Sequence, residues 1–422
     1  EMSSRGLGDV YKRQVYVFSK KGFMKSVILI LFNFLFFAII SQNEIKVTYY
    51  NLLNFPSSQP SRTDTLKKII DYIQPDIFVV NELTSFNGGA LIKNNVLNAG
   101  GSNNYQSALF FDGPDTDNLL FYNQNKMGLY SQQQIPTQLR DISEYVLYYK
   151  PLANQGDTNL IYFYSIHLKA GSSQTNEELR RQEAETFKQF LINNNRNNNL
   201  FVGGDFNFYD YLEPACQEIL FGQSLDLVDP INQMASWHNN SSYANIHTQS
   251  TRSATGGFAG GAYGGMDDRF DIIFTSNDVI SGSSGIQYIS GSYVADGQDG
   301  NHFNQAINSG TNNQVSQEIA DALFYMSDHL PVSLSFNISM PLSSHELINN
   351  QLAVNFIQRD KRLIINTMDS FESQIFVYDL SGRELFREEL KNENQIEINL
   401  QLFSEGIYLS LIHISEPTRR HL

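Results

Sequence analysis

Six hydrophobic runs each finish on a polar residue able to bind an ion or a phosphate, and no other feature restricts the fold as much. They are Tyr49-Tyr50-Asn51, Val79-Val80-Asn81-Glu82, Tyr164-Ser165-Ile166-His167, Val202-Gly203-Gly204-Asp205-Phe206-Asn207, Arg269-Phe270-Asp271 and Ser327-Asp328-His329. A buried strand does not usually end in a charge unless that charge has a partner, because an unpaired ion gives up its hydration for nothing. Six such ends converging at one sheet edge make an acidic pocket. The fold must then bring together segments as far apart in the chain as Asn51 and His329.

The intervening chain alternates strand-like and helix-like patterns. Residues 45–50, 77–81, 160–167, 200–203, 270–275 and 332–336 are rich in β-branched and aromatic side chains and read as buried strands. Residues 63–73 and 177–193 carry helical periodicity, and Glu177 and Glu178 favour the start of the second helix by complementing its dipole. Glycine-rich stretches at 255–265 and 281–300 read as loops. The alternation predicts an α/β sandwich with its polar chemistry at strand ends. After a polar linker at 338–350, short strands separated by turn residues recur from 352 to 410. They predict a small all-β domain over 351–410.

The chain has 422 residues, 41% of them hydrophobic, which is ample for a large core and more than one domain. A net charge of −15 makes it a poor nonspecific binder of nucleic acid or anionic membrane, although bound divalent cations would reverse the field locally. The single cysteine, Cys216, excludes an intrachain disulfide, and in its apolar setting it reads as packing. Met24-Lys25-Ser26 precedes an apolar run at 27–40 that is shorter than the ~20 residues of a membrane span. This reads as a signal peptide over 24–41. Residues 1–23 and 411–422 read as non-native additions around a catalytic domain at 42–337.

Gly203-Gly204-Asp205-Phe206-Asn207 and Ser327-Asp328-His329-Leu330-Pro331, in order with the other four runs, resemble the endonuclease/exonuclease/phosphatase superfamily over residues 44–337. The resemblance implies a DNase-like four-layer α/β/β/α sandwich that hydrolyses phosphate esters with Mg²⁺ or Mn²⁺, Ca²⁺ being the alternative ion. It implies Glu82 and Asp328 as metal ligands together with Asn51, which would also touch the phosphate. It implies His167 as a donor to a phosphoryl oxygen, and Lys169 as either a further phosphate contact or a solvated lysine. Asp205 and Asn207 would hold the attacking water. His329, oriented by Asp271, would activate that water or stabilise the pentacoordinate state. Asp117, Asn118 and Tyr122 are candidates for a further element between Glu82 and His167. Asp267 and Asp268 read as solvated or supporting.

Residues 374–410 resemble type IX secretion sorting domains, through the Tyr378-Asp379-Leu380-Ser381-Gly382-Arg383 turn and the stretch from Leu402 to Tyr408. The resemblance implies export machinery as a partner and a secreted or cell-surface location; a generic carbohydrate-binding β-sandwich is the alternative. The whole reads as a secreted metal-dependent phosphodiesterase, an endonuclease acting on nucleic acid, monomeric and without a stable membrane span. One alternative is a sphingomyelinase-like or other phosphate-ester hydrolase, for which Trp237 and Phe258 are the candidate membrane-contacting aromatics. Another is an inert surface binding module, which would be expected to have lost one of the six polar ends.

Overall fold

The structure, a computed structural model, describes residues 44–57, 61–153, 159–254, 260–339, 353–357, 362–379, 381–399 and 408–414. The expected signal peptide and most of the expected linker lie outside these residues, as does Phe258. The chain divides into two compact units, one covering residues 40–340 and the other including the chain beyond 341.

The larger unit is built on strands β1 (Glu44–Phe55), β2 (Ile77–Leu83), β3 (Tyr105–Ser107), β4 (Asp117–Asn123), β5 (Met127–Ile135), β6 (Ile142–Tyr149), β7 (Leu160–His167), β8 (Leu200–Asp205), β9 (Leu227–Val228), β10 (Asp271–Ser276), β11 (Ile286–Tyr288), β12 (Val294–Ala295) and β13 (Val332–Ile338). One sheet has the order β11-β13-β1-β2-β4-β3, with β12 also on β13, and the other has the order β5-β6-β7-β8-β10-β9. Both mix parallel and antiparallel pairs: β1 with β2 and β7 with β8 are parallel, while β13 and β10 run antiparallel to β1 and β8.

The two sheets face each other through aromatic side chains. Phe201 of β8 meets Phe336 of β13 at a centroid distance of 4.5 Å and Phe163 of β7 at 5.2 Å. The Tyr49 hydroxyl crosses from β1 to donate to the Phe201 carbonyl at 3.3 Å. Helices cover the outer faces. In α1 (Arg62–Ile73), Leu66, Ile69, Ile70 and Ile73 recur at helical spacing and are all buried, so one stripe packs on the first sheet. The second sheet is covered by α2 (Gln174–Asn193) and α3 (Pro214–Phe221), through Ala184, Phe187, Leu191, Ala215 and Ile219. Ser173 caps α2 by accepting from the Asn176 amide at 3.3 Å, and Glu177 sits in its first turn. A further helix, α4 (Gln317–Met326), returns to the first sheet beside α1 and delivers the chain to Ser327-Asp328-His329. The result is the expected four-layer α/β/β/α sandwich.

In the second unit, β14 (Ala353–Ile357), β15 (Arg362–Asp379), β16 (Glu384–Asn399) and β17 (Tyr408–Ile414) form one four-stranded antiparallel sheet. Its β15–β16 turn is closed by Asp379, whose Oδ1 accepts from the amides of Ser381 at 2.9 Å and Arg383 at 3.1 Å. Strand β17 continues through Leu411–Ile414, past the boundary at 410 that the sequence suggested, and pairs with β15 as far as Ser373. Among the described residues, no helix is long and apolar enough to cross a membrane.

Candidate active site

Strand direction explains why the six polar ends meet. The parallel pairs β1–β2 and β7–β8 contribute their C-terminal ends, which carry Asn51, Glu82, His167 and Asp205. The antiparallel strands β10 and β13 contribute their starts, with Asp271 opposite Asp205 in register and His329 just ahead of Val332. His167 is in turn opposite Asp205. One edge of the sandwich therefore collects all six.

Two glycines make this packing possible. A Cβ on Gly203 would stand 2.7 Å from the Tyr49 ring. On Gly204, at φ +134°, it would stand 2.0 Å from the Ile166 carbonyl oxygen. The Gly-Gly pair lets β8 run close to both β1 and β7, and so sets Asp205 between Asn51 and His167.

The side chains form one connected cluster. Asn51 Nδ2 donates to Glu82 Oε1 and to Asp205 Oδ2, both at 3.0 Å. Glu82 Oε2 also accepts from the Asn54 amide at 2.9 Å. His167 Nε2 lies 3.5 Å from Asp205 Oδ2 and 3.9 Å from Glu82 Oε1. His329 Nδ1 bonds Asp271 Oδ2 at 2.7 Å, and its Nε2 faces Asp205 Oδ2 at 3.7 Å. Asn207 follows Asp205 in an Asx turn, its amide donating to Asp205 Oδ1 at 3.1 Å and its side chain to the Leu168 carbonyl at 3.3 Å.

Electrostatically the cluster has more negative groups than it can neutralise. Burial pushes the Asp205 carboxyl up to about 7, and the neighbouring Asp271 and Glu82 add to this against the pull of His329 and Asn51. Glu82 is raised in the same way, by burial and then by Asp328, with the Asn51 amide opposing. Burial alone would depress His329, but Asp271, Asp205 and Asp328 together hold it well above the usual imidazole range. Burial, reinforced by Arg140, His329 and Lys169, keeps His167 well below that range and neutral.

A divalent cation fits this donor set. Single atoms of Glu82, His167 and Asp205 lie within 4.8 Å of one another, and two of the three are carboxylate oxygens. Asp328 is buried nearby, with Oδ2 accepting from the Ala262 amide at 2.5 Å and Oδ1 taking no hydrogen bond among the described residues.

Of the other candidates, Lys169 turns its ammonium to the Ala170 carbonyl at 3.0 Å. Asn118 lies behind the site, accepting from Asn81 Nδ2 at 2.7 Å and donating to the Ser165 carbonyl at 3.2 Å. Asp117 instead holds the Gly113 amide, and Tyr122 pairs with Ile77 at the opposite edge. Asp268 is not solvated: it is buried and bonds His238 Nδ1 at 2.7 Å. Trp237 is fully buried and donates to the Phe208 carbonyl at 3.0 Å, so it is not an exposed aromatic.

Among the residues that support the site, Thr248 and Gln249 carry no local signal in the sequence, while Ser327 opens the Ser327-Asp328-His329 run. The Thr248 hydroxyl accepts from the amides of Phe270 and Asp271 at 3.1 and 3.0 Å. Ser327 donates to the Asn51 carbonyl at 2.6 Å. The Gln249 side-chain amide lies 2.6 Å from His329 Nε2.

The sequence model of the Endonuclease/Exonuclease/phosphatase family matches residues 48–329, and that of the Secretion system C-terminal sorting domain matches residues 349–420. No curated protein matches the chain. Similar solved structures include D. rerio TDP2 complexed with single strand DNA product, at 13% identity over 70% of this chain and 99% of that one, with a TM-score of 0.44. The human Nocturnin catalytic domain with bound sulfate anion is 17% identical over 70% of this chain and 95% of its own, with a TM-score of 0.43. The endonuclease/exonuclease/phosphatase from Bacteroides vulgatus is 14% identical over 71% of this chain and 100% of its own, with a TM-score of 0.44.

Proposed function

The chain belongs to the endonuclease/exonuclease/phosphatase family and carries a secretion sorting domain, and from that premise we propose that it is an exported, divalent-metal-dependent phosphodiesterase hydrolysing nucleic-acid phosphodiesters. The sorting domain makes it a secreted or cell-surface protein. The observation that carries the chemical reading is the His329 ring, tied to Asp271 through Nδ1 and presenting Nε2 to the Glu82–His167–Asp205 cluster.

A phosphodiester resists attack because its anionic oxygens repel nucleophiles. Glu82, Asp328 and Asn51 would hold Mg²⁺ or Mn²⁺, with Asp205 near enough to Glu82 to share it; when bound, the cation neutralises the phosphoryl charge. The Asp271 carboxylate holds the His329 ring in orientation, so that Nε2 can take a proton from the attacking water or donate to the crowded phosphorus centre. His167 and Asn207 supply neutral donors to the phosphoryl oxygens, and Asp205 orients the water. The buried Trp237 is not available as the membrane-contacting aromatic that a lipid substrate would want.

The test is hydrolysis of plasmid DNA, RNA, sphingomyelin and a chromogenic bis-ester with Mg²⁺, Mn²⁺, Ca²⁺ or chelator. We expect cation-dependent nicking of DNA or RNA, and a loss of ~10²–10³ in rate in His329→Ala. Chelator-resistant cleavage, or an undiminished His329→Ala enzyme, would overturn the reading.

A further inference from the structure

We propose that Gln249 is a further residue of the hydrolytic site, holding His329 before substrate arrives and passing its side-chain amide to a phosphoryl oxygen when the diester binds; this rests on the phosphodiesterase reading. Nδ1 of His329 is committed to Asp271, so Nε2 is the nitrogen left for chemistry. The Gln249 amide nitrogen lies 2.6 Å from that atom. It therefore stands where the water or phosphoryl oxygen must stand, and has to yield the position when substrate arrives.

The backbone of Gln249 is not free to yield. Its amide donates to the Asp268 carbonyl at 3.1 Å, and its carbonyl accepts from the Asp267 and Asp268 amides at 2.9 and 3.0 Å. On its other side it bridges His329 in antiparallel fashion, and the neighbouring Thr248 carbonyl accepts from the Leu330 amide at 2.8 Å. Only the side chain can swing, pivoting on a fixed Cα, and Gln249 is partly exposed. A primary amide suits both duties. It pairs with a neutral imidazole through its N–H and with a charged one through its oxygen, and its N–H donates to a phosphoryl oxygen. A carboxylate at this position would repel the diester, and an aliphatic side chain would offer nothing.

The test uses the full chain with ¹⁵N-labelled histidine, the His329 Nε2 resonance being identified by its loss in His329→Gln. At fixed pH, Gln249→Ala should move that resonance in the empty protein, and no hydrolysis is needed to see it. In turnover, Gln249→Ala and Gln249→Glu should each lower kcat about 10²-fold, as expected for one lost donor. In Gln249→Ala, KM should stay level or fall, because a competitor for the position has been removed. An Nε2 resonance identical in Gln249→Ala and parent overturns the proposal. So does a Gln249→Ala enzyme with parental kcat, or a Gln249→Glu enzyme as fast as the parent. If no diester is cleaved by the parent, the phosphodiesterase reading fails, and the resonance alone decides whether Gln249 holds the ring.

Discussion

At Gly204 a single methyl group separates a working edge from a broken one. An added Cβ would collide with the Ile166 carbonyl oxygen, in a backbone conformation that side chains rarely adopt. Gly204→Ala should cost at least ~1–3 kcal/mol of stability, and it should displace Asp205 from Asn51. Urea unfolding and hydrolysis assays on the same preparation check this; unchanged stability would mean that β8 has more room than the structure gives it. A second residue carries a pH signature. Loss of hydration pushes the Asp296 carboxyl up to about 7, with the Ser333 hydroxyl and Lys46 opposing. The folded state therefore binds this proton more tightly than the unfolded chain, and the stability so gained is present below pH ~4 and lost as pH rises through ~7. Asp296→Asn should raise Tm relative to the parent by more at pH 8 than at pH 5. An equal difference at the two pH values would refute the assignment.

Between elements, Arg62 acts as a clamp. From the first turn of α1 it donates to the carbonyls of Leu52, Leu53 and Met326, joining the end of β1 to the end of α4. Arg62→Met should leave three buried carbonyls without donors, at ~1 kcal/mol or more each. The measurement is again urea unfolding, and a loss below ~1 kcal/mol would show the clamp to be dispensable. How legible the elements were follows from the same packing. The six runs were readable as strands because β1, β2, β7, β8, β10 and β13 are buried along most of their length and are mostly apolar there. Strand β5 (MGLYSQQQI) carries exposed polar residues, and β9 and β12 span two residues each, so neither pattern nor length announced them. Helix α4 was also not anticipated. The polar ends were legible as candidates because charge at the end of an apolar run is anomalous. Arg62, Thr248 and Gln249 were not, since each acquires its partner only when distant segments meet.

For the molecule as a whole, the division into two units predicts separable tasks. A chain ending at residue 339 should keep the hydrolytic rate of the full chain while losing delivery to the cell exterior, measured by assay of purified protein and by fractionation of the producing cells. A truncated enzyme with much lower kcat would show that the sorting domain supports the site. Cation binding should also be visible without turnover. Because acidic groups at this edge outnumber the positive ones that could balance them, Mg²⁺ or Mn²⁺ at a hundredfold excess over Kd should stabilise the fold by about 2.7 kcal/mol. Chelator should reverse the rise in Tm; a Tm indifferent to both would argue against a cation at this edge.

Glu82 and His329 are held on the first sheet, His167, Asp205 and Asp271 on the second, and Cys216 has no partner with which to cross-link anything. A cation gripped by Glu82 and Asp205 would thus be a removable rivet through both layers, fastened wherever the surroundings are rich in divalent ions. A protein sent outside the cell without a disulfide would draw on calcium- or magnesium-bearing surroundings for toughness, and would reach its sturdiest form in the place where it works.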